Sequence, residues 1–380
     1  MVVSSPVVLS LLLLASLTAL LVVAPRLSPP PQQAVAAESP PTSAGVGAGG
    51  ARGGVDGAAG VWGVGAGEEA DDLRLFRRAA LEAAAAGEAD AAGPPKVAFL
   101  FLTNSDLTFA PLWERFFAGN EARLTVYVHA DPAARLRLPA TRSFRGRFVA
   151  AKPTRRADAS LIAAARRLLA AALLDDPANA YFALLSQHCV PLHSFQRLYA
   201  ALFPPPVPGA RRGLQPRRLP SYIEVLTGEP QMPLRYAARG EGAMLPEVPY
   251  DRFRIGSQFF TLARRHAVLV VRERRLWRKF RVPCLPEMAQ DSCYPEENYF
   301  PTLLDMADPA GVARYTLTRV NWTGSVAGHP RTYTASEVTP RLIAELRASN
   351  NTLPHMFARK FAPDCLGPLL AIADTVIFKD

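Results

Sequence analysis

The chain has 380 residues, 49% of them hydrophobic, which is ample for one large domain or two fused halves. Lys and Arg number 43 against 33 Asp and Glu, a net charge of +10, and such a surplus suits an anionic partner: nucleotide phosphate, acidic glycan, lipid surface or nucleic acid. Nucleic acid is set aside, because no binding motif is present and an apolar N-terminal run argues for another compartment.

That run, Met1 to Ala24, is uncharged and dominated by Val, Leu and Ala. It exceeds the roughly 20 residues that span a hydrocarbon core. A cleaved signal peptide would need a positive n-region and a shorter apolar centre, and neither is present. An uncleaved transmembrane signal anchor is therefore expected at 1–24. The absence of Lys or Arg before the run gives no support for a cytoplasmic N-terminus, but long domains cross membranes largely regardless of charge, so the body is expected to be translocated. Residues 25–95 are rich in Ala, Gly and Pro with few large apolar side chains, and they read as a flexible stem. Within it, Leu73, Phe76 and Leu81 fall at helical spacing and predict a helix over 71–86. The stem holds nine acids and five arginines, which leaves 38 bases against 24 acids for the body at 96–380.

The body opens with Lys96–Thr103, a continuous apolar run that predicts a buried strand. A helix is expected over Leu107–Ala118 and a second strand over Arg123–His129, ending at Ala130-Asp131-Pro132. Phe148–Lys152 predicts a short strand, Ala159–Leu174 a helix, and Tyr181–Ser186 another buried strand. This alternation implies an α/β fold, a mostly parallel central sheet flanked by helices, with ligands at the carboxyl ends of the strands. Asp131 lies at such an end and reads either as an acceptor for a base or ribose or as a turn residue before proline. No Gly-rich phosphate loop follows the first strand. There is no Asp-x-Asp pair to hold a metal on a diphosphate, so cationic side chains would have to neutralise a leaving group.

From Phe203 to Tyr250 the composition is Pro-, Arg- and Gly-rich, an irregular lobe. Arg254–Ala263 predicts a strand and Arg264–Arg281 a helix whose basic face is solvated. Cys284 and Cys293 flank a loop and are the pair expected to form a disulfide in a lumenal compartment. Next comes Tyr294-Pro-Glu-Glu-Asn-Tyr-Phe-Pro301, with two adjacent carboxylates between prolines. Glu296 and Glu297 read as positioned carboxylates in a short loop, one fit to be a general base, or simply as acids favouring a helix start. A strand is expected over Tyr315–Trp322 and a helix over Pro340–Ser349. Asn321-Trp-Thr323 and Asn350-Asn-Thr352 are glycosylation acceptors if lumenal, Asn350 being the site expected to be used more often.

The strings Val126–Asp131, Leu185–Leu192, Gly256–Phe260, Tyr294–Glu297, Val320–Trp322 and Ala358–Phe361, in this order and spacing, resemble the Core-2/I-branching β1,6-N-acetylglucosaminyltransferase family, more narrowly its plant branch. The resemblance runs from about Lys96 to the C-terminus. It implies a GT-A-like glycosyltransferase fold, an inverting mechanism independent of metal, no cofactor, and a single-pass type II Golgi membrane protein with a lumenal catalytic domain. Its catalytic base falls on Glu297. The nucleotide-sugar site falls on Asp131, Arg331 and Lys360, and the acceptor site on Trp322, Glu224 and Arg235. The partners implied are a UDP-sugar donor and a glycan or glycoprotein acceptor. Two positions depart from the family pattern: Cys189 stands where animal relatives have an acid, and Gly324 where an aromatic is expected.

Two other readings are open. One is a membrane-anchored, catalytically inactive glycan-binding or interaction protein of the same fold. The other is a glycoside hydrolase using Glu296 and Glu297, which adjacent residues serve poorly because the two carboxyls must flank a sugar at roughly 5–9.5 Å.

Overall fold

The computed structural model describes residues 66–85, 93–205, 218–288, 292–325 and 328–380. The expected anchor at 1–24 lies outside them, and no helix among the described residues is long and apolar enough to cross a membrane.

In chain order the elements are α1 (Ala66–Ala85), β1 (Lys96–Thr103), α2 (Ala110–Phe117), β2 (Leu124–Ala130), α3 (Ala159–Asp175), β3 (Asn179–Ser186), β4 (Val190–Pro191) and α4 (Phe195–Leu202). There follow α5 (Met232–Ala237), β5 (Thr261–Ala263), α6 (Arg264–Arg272), α7 (Arg275–Phe280), α8 (Pro295–Ala307), β6 (Thr318–Val320), α9 (Pro340–Arg347), β7 (Phe357–Arg359) and α10 (Leu366–Ile372). The main sheet runs β2-β1-β3-β5. Its first three strands are parallel, with Leu100 opposite Tyr127 and Leu184, and β5 is antiparallel to β3. A small second sheet runs β4-β7-β6.

Alternation along β1 divides the core in two, because successive side chains point to opposite faces. Ala98, Leu100 and Leu102 pack with α1, α3, α6 and α8. Val97, Phe99 and Phe101 pack with α2, α4, α9 and the small sheet. With helices covering both faces, β1 has no polar side to show, and all of it except Lys96 is buried.

The helix expected at 71–86 is present, so this part of the 25–95 range docks onto the body. Asp72 of α1 accepts from Arg167 Nε at 2.7 Å and lies 3.1 Å from Lys152 Nζ. Arg166 lies over the rings of Phe76 and Trp277, at 4.5 and 5.1 Å, and donates to the carbonyls of Val271 and Glu273.

Several expected elements are shorter or divided. Of Arg254–Ala263 only β5 is strand, and of Tyr315–Trp322 only β6. Phe148–Lys152 supplies a single bridge, Val128 to Phe148. The helix expected over 264–281 breaks at Glu273, whose carboxylate accepts the N–H groups of Leu276 and Trp277 and so caps α7. Leu276, Trp277 and Phe280 turn inward while Arg274, Arg275 and Arg278 face solvent.

Candidate active site at the start of helix α8

The Cys284–Cys293 disulfide is formed, and it ends one residue before Tyr294. Of the two readings of the segment after it, loop or helix start, the helix start is the one present. Pro295 stands at the first helical position, where its fixed φ suits a helix start, and Glu296 and Glu297 occupy the first turn at the positive end of the helix dipole. Pro301 sits inside the helix and lacks the N–H that would bond the carbonyl of Glu297. Gly256 N–H donates to that carbonyl instead, at 2.9 Å. A side chain at Gly256 would meet the Glu224 carbonyl oxygen at 2.0 Å, so only glycine allows the approach. Asn298 Nδ2 donates to the Arg254 carbonyl and Arg254 N–H to Thr302 Oγ1, both at 2.9 Å. The start of α8 is thereby locked against residues 254–256.

The two neighbouring glutamates have opposite surroundings. Glu296 is 4% exposed. Its Oε1 accepts from Ala157 N–H at 3.2 Å, and its Oε2 is buried without a partner among the described residues. Burial, with the charge of Glu297 beside it, pushes its pKa up to about 8. Glu297 is partly exposed; its Oε2 accepts from Arg235 Nη1 at 2.7 Å. Its Oε1 has no hydrogen-bond partner among the described residues. Arg235 also lies 4.8 Å over the ring of Tyr294, with Arg156 at 5.6 Å from the same ring.

Glu297 lines two cavities. The first, about 220 Å³, opens at the carboxyl ends of β1 and β3, where Thr103, Asn104 and Gln187 reach it. Arg156, His188, His329, Arg359 and Lys360 supply its cations and imidazoles, and Glu296 and Glu297 are its only acids among the described residues. Burial and crowding shift these groups. Burial, then Arg359 and Arg156, lowers the Lys360 ammonium. Burial, then Lys360, brings His188 down to about 4. Burial, then Arg156 and Lys360, lowers His329. Arg359 lies 4.2 Å over Phe259 and, among the described residues, has neither an ion pair nor a hydrogen bond to its Nε. Arg156 Nη2 donates to the Gly328 carbonyl at 2.9 Å. Gly328 has φ +67°, and a Cβ there would come within 2.9 Å of Tyr294 Oη.

The second cavity, about 410 Å³, is lined by Glu224, Glu229, Arg235, Trp322 and Arg319 together with Glu297. Trp322, which is 52% exposed, lines both cavities, as do Gln258, Phe259 and Arg359. The Glu224 carboxyl is raised, first by burial and then by Glu297.

Of the residues singled out in the sequence, Glu297, Lys360, Trp322, Glu224 and Arg235 thus share one pair of joined cavities. Asp131 and Arg331 line neither. The Asp131 oxygens are taken up by Ala133 N–H, Thr154 N–H and Thr154 Oγ1 at 2.7–2.9 Å. Burial pushes its carboxyl up, but these bonds outweigh that and hold it below the usual range. What Asp131 fixes is the 152–156 segment that carries Arg156 inward. Arg331 pairs with Glu337 and lies over the Tyr333 ring. Sequence reasoning gives no role to Arg156 or Arg359, and it sets Glu296 beside Glu297 without telling which is buried. Arg359 adjoins Lys360 in a matched string, which was a usable signal; Arg156, in an irregular segment, offered none. Among the described residues no three or more His, Cys, Asp or Glu side chains cluster so as to hold a metal ion.

A mostly parallel sheet between helical layers, with its cleft at the strand ends, fits a GT-A-like fold. A family model for the Core-2/I-branching enzyme matches residues 97–347. The chain belongs to that family and is a glycosyltransferase. It is 30% identical over 288 residues to glycosyltransferase BC10 of Oryza sativa subsp. japonica, an alignment covering 68% of this chain and 67% of that protein.

Proposed function

We propose that the chain moves a sugar from a UDP-sugar to a hydroxyl of a glycan or glycoprotein, by a single displacement with inversion and without a metal ion. The position of Glu297 carries this reading: it stands where a cavity crowded with positive charge meets a cavity of mixed charge and an exposed indole. In the mechanism the acceptor hydroxyl attacks the anomeric carbon while the bond to the diphosphate breaks. Its proton passes to Glu297 Oε1, the oxygen that Arg235 leaves open, and general-base help of this kind contributes about 10²–10⁴-fold. The departing charge falls to Lys360, Arg359 and Arg156, whose mutual repulsion an anion relieves. Trp322 offers a flat face to a sugar ring. Glu296, neutral at acidic and neutral pH, adds no second negative charge beside the leaving group.

The same reading places the chain in the Golgi membrane as a single-pass type II protein with residues 96–380 lumenal. The Cys284–Cys293 disulfide supports it, since such bonds persist in oxidising compartments.

The test uses the full chain in detergent, offered UDP-sugars in the presence of EDTA, UDP-N-acetylglucosamine first. Expected are release of UDP and a product of inverted anomeric configuration. Turnover that stops on chelation, or a retained configuration, contradicts the mechanism. No turnover with any donor leaves a binding protein of the same fold.

A further inference from the structure

A third cavity, about 440 Å³, continues the acceptor side away from Glu297. Glu224, Thr316, Arg319 and His355 line it together with the second cavity, so the two form one groove. Its far wall is the turn after α9, Ser349, Asn350 and Asn351. That turn is pinned. Asn351 N–H donates to Ser349 Oγ at 3.1 Å and Leu353 N–H to Tyr315 Oη at 3.2 Å. His355 donates from its backbone to the Arg347 carbonyl and from Nδ1 to that of Ala348. The Arg319, Asn350 and Asn351 side chains have no hydrogen-bond or ion-pair partner among the described residues, although all three face this groove. Apart from Ala348 and the Tyr315 ring, the lining is polar. Open donors and acceptors around one aromatic ring match a hydroxyl-rich chain. The lining has no apolar recess for a peptide side chain to fill.

Resting on the reading of Glu297 as the transfer centre, we propose that the acceptor is a chain of several sugars, whose units beyond the reacting one lie in the groove between Arg319 and the Ser349–Asn351 turn. A single sugar would fill only the part beside Trp322. The Asn350 sequon stands on the groove's rim, so a glycan there competes with the acceptor.

The experiment uses full-length protein in detergent carrying Thr352→Ala, so that no N-glycan occupies the groove. Size-fractionated plant oligosaccharides are the probe: single sugars, disaccharides and longer chains, plus single sugars linked to peptide. Transfer to each pool and acceptor-free hydrolysis of the UDP-sugar are measured, with and without Asn351→Trp, which fills the groove. The longer chains are expected to show kcat/KM at least about tenfold above single sugars, the effect of one or two added contacts. Asn351→Trp should erase that advantage while leaving hydrolysis and single-sugar transfer in place. Arg319→Ala is a second way to weaken the groove and should lower the advantage too. Length-independent transfer, a long-chain advantage that survives both variants, or peptide-linked single sugars matching the long chains would each overturn the proposal. Protein that neither hydrolyses nor transfers would overturn the reading of Glu297 and this proposal with it.

Discussion

On one side of Glu297, Arg359 and Lys360 face a cavity whose only acids among the described residues are Glu297 itself and the buried Glu296. On the other side, Arg235 is already paired with Glu297, and Glu224 and Glu229 share the wall with Arg319. The first arrangement gathers more positive than negative charge, which favours a ligand that brings negative charge. The second is roughly balanced and suits a neutral, hydroxylated ligand. On the proposed reading the anionic donor takes the first side and the neutral acceptor the second, with Glu297 at the junction.

The comparison can be broken most forcefully on its cationic side. Arg359→Ala and Lys360→Ala are each expected to lower kcat/KM by about 10²–10³-fold, the range for removing one group that stabilises developing negative charge. UDP affinity should fall with it and acceptor KM stay unchanged. A loss confined to acceptor KM would exchange the roles of the two cavities. The next effect concerns Glu296. Its folded pKa, about 8, lies above the unfolded value of about 4.3, so its contribution to stability is full below the unfolded value, declines across the window between the two and is gone above about 8. Glu296→Gln should flatten this part of the curve of melting temperature against pH. An unchanged slope in Glu296→Gln would mean that the carboxyl is not held neutral. The smallest effect is on the balanced side. Trp322→Ala should raise acceptor KM about tenfold, the loss of one aromatic contact, without changing UDP affinity. Weaker UDP binding instead would put the indole on the donor side.

How far the sequence goes depends on whether a feature is local. β1 and β3 are legible because each is an unbroken apolar run buried on both faces. The disulfide is legible because its cysteines are close in the chain. β5 and β6 are not, since their apolar neighbours belong to segments that pack without joining the sheet. The start of α8 reads as a loop or as a helix start, because Pro301 disfavours a regular helix locally. The structure keeps the helix because Gly256, remote in sequence, supplies the missing N–H. Glu296 and Glu297 are indistinguishable in sequence, and only tertiary packing buries one and leaves the other at the cleft. Asp131 sits at a strand end as expected, yet Thr154 and Ala133 turn its carboxylate toward the chain. Arg359 gains its setting from Phe259, about a hundred residues earlier, which no local pattern records.

The most direct measurement pairs UDP binding with sugar transfer in Glu297→Gln, in the presence of chelator. The account predicts that UDP binds as it does to the wild type while transfer falls by about 10²–10⁴-fold. A variant that transfers at the wild-type rate would show that the proton goes elsewhere and would contradict the account.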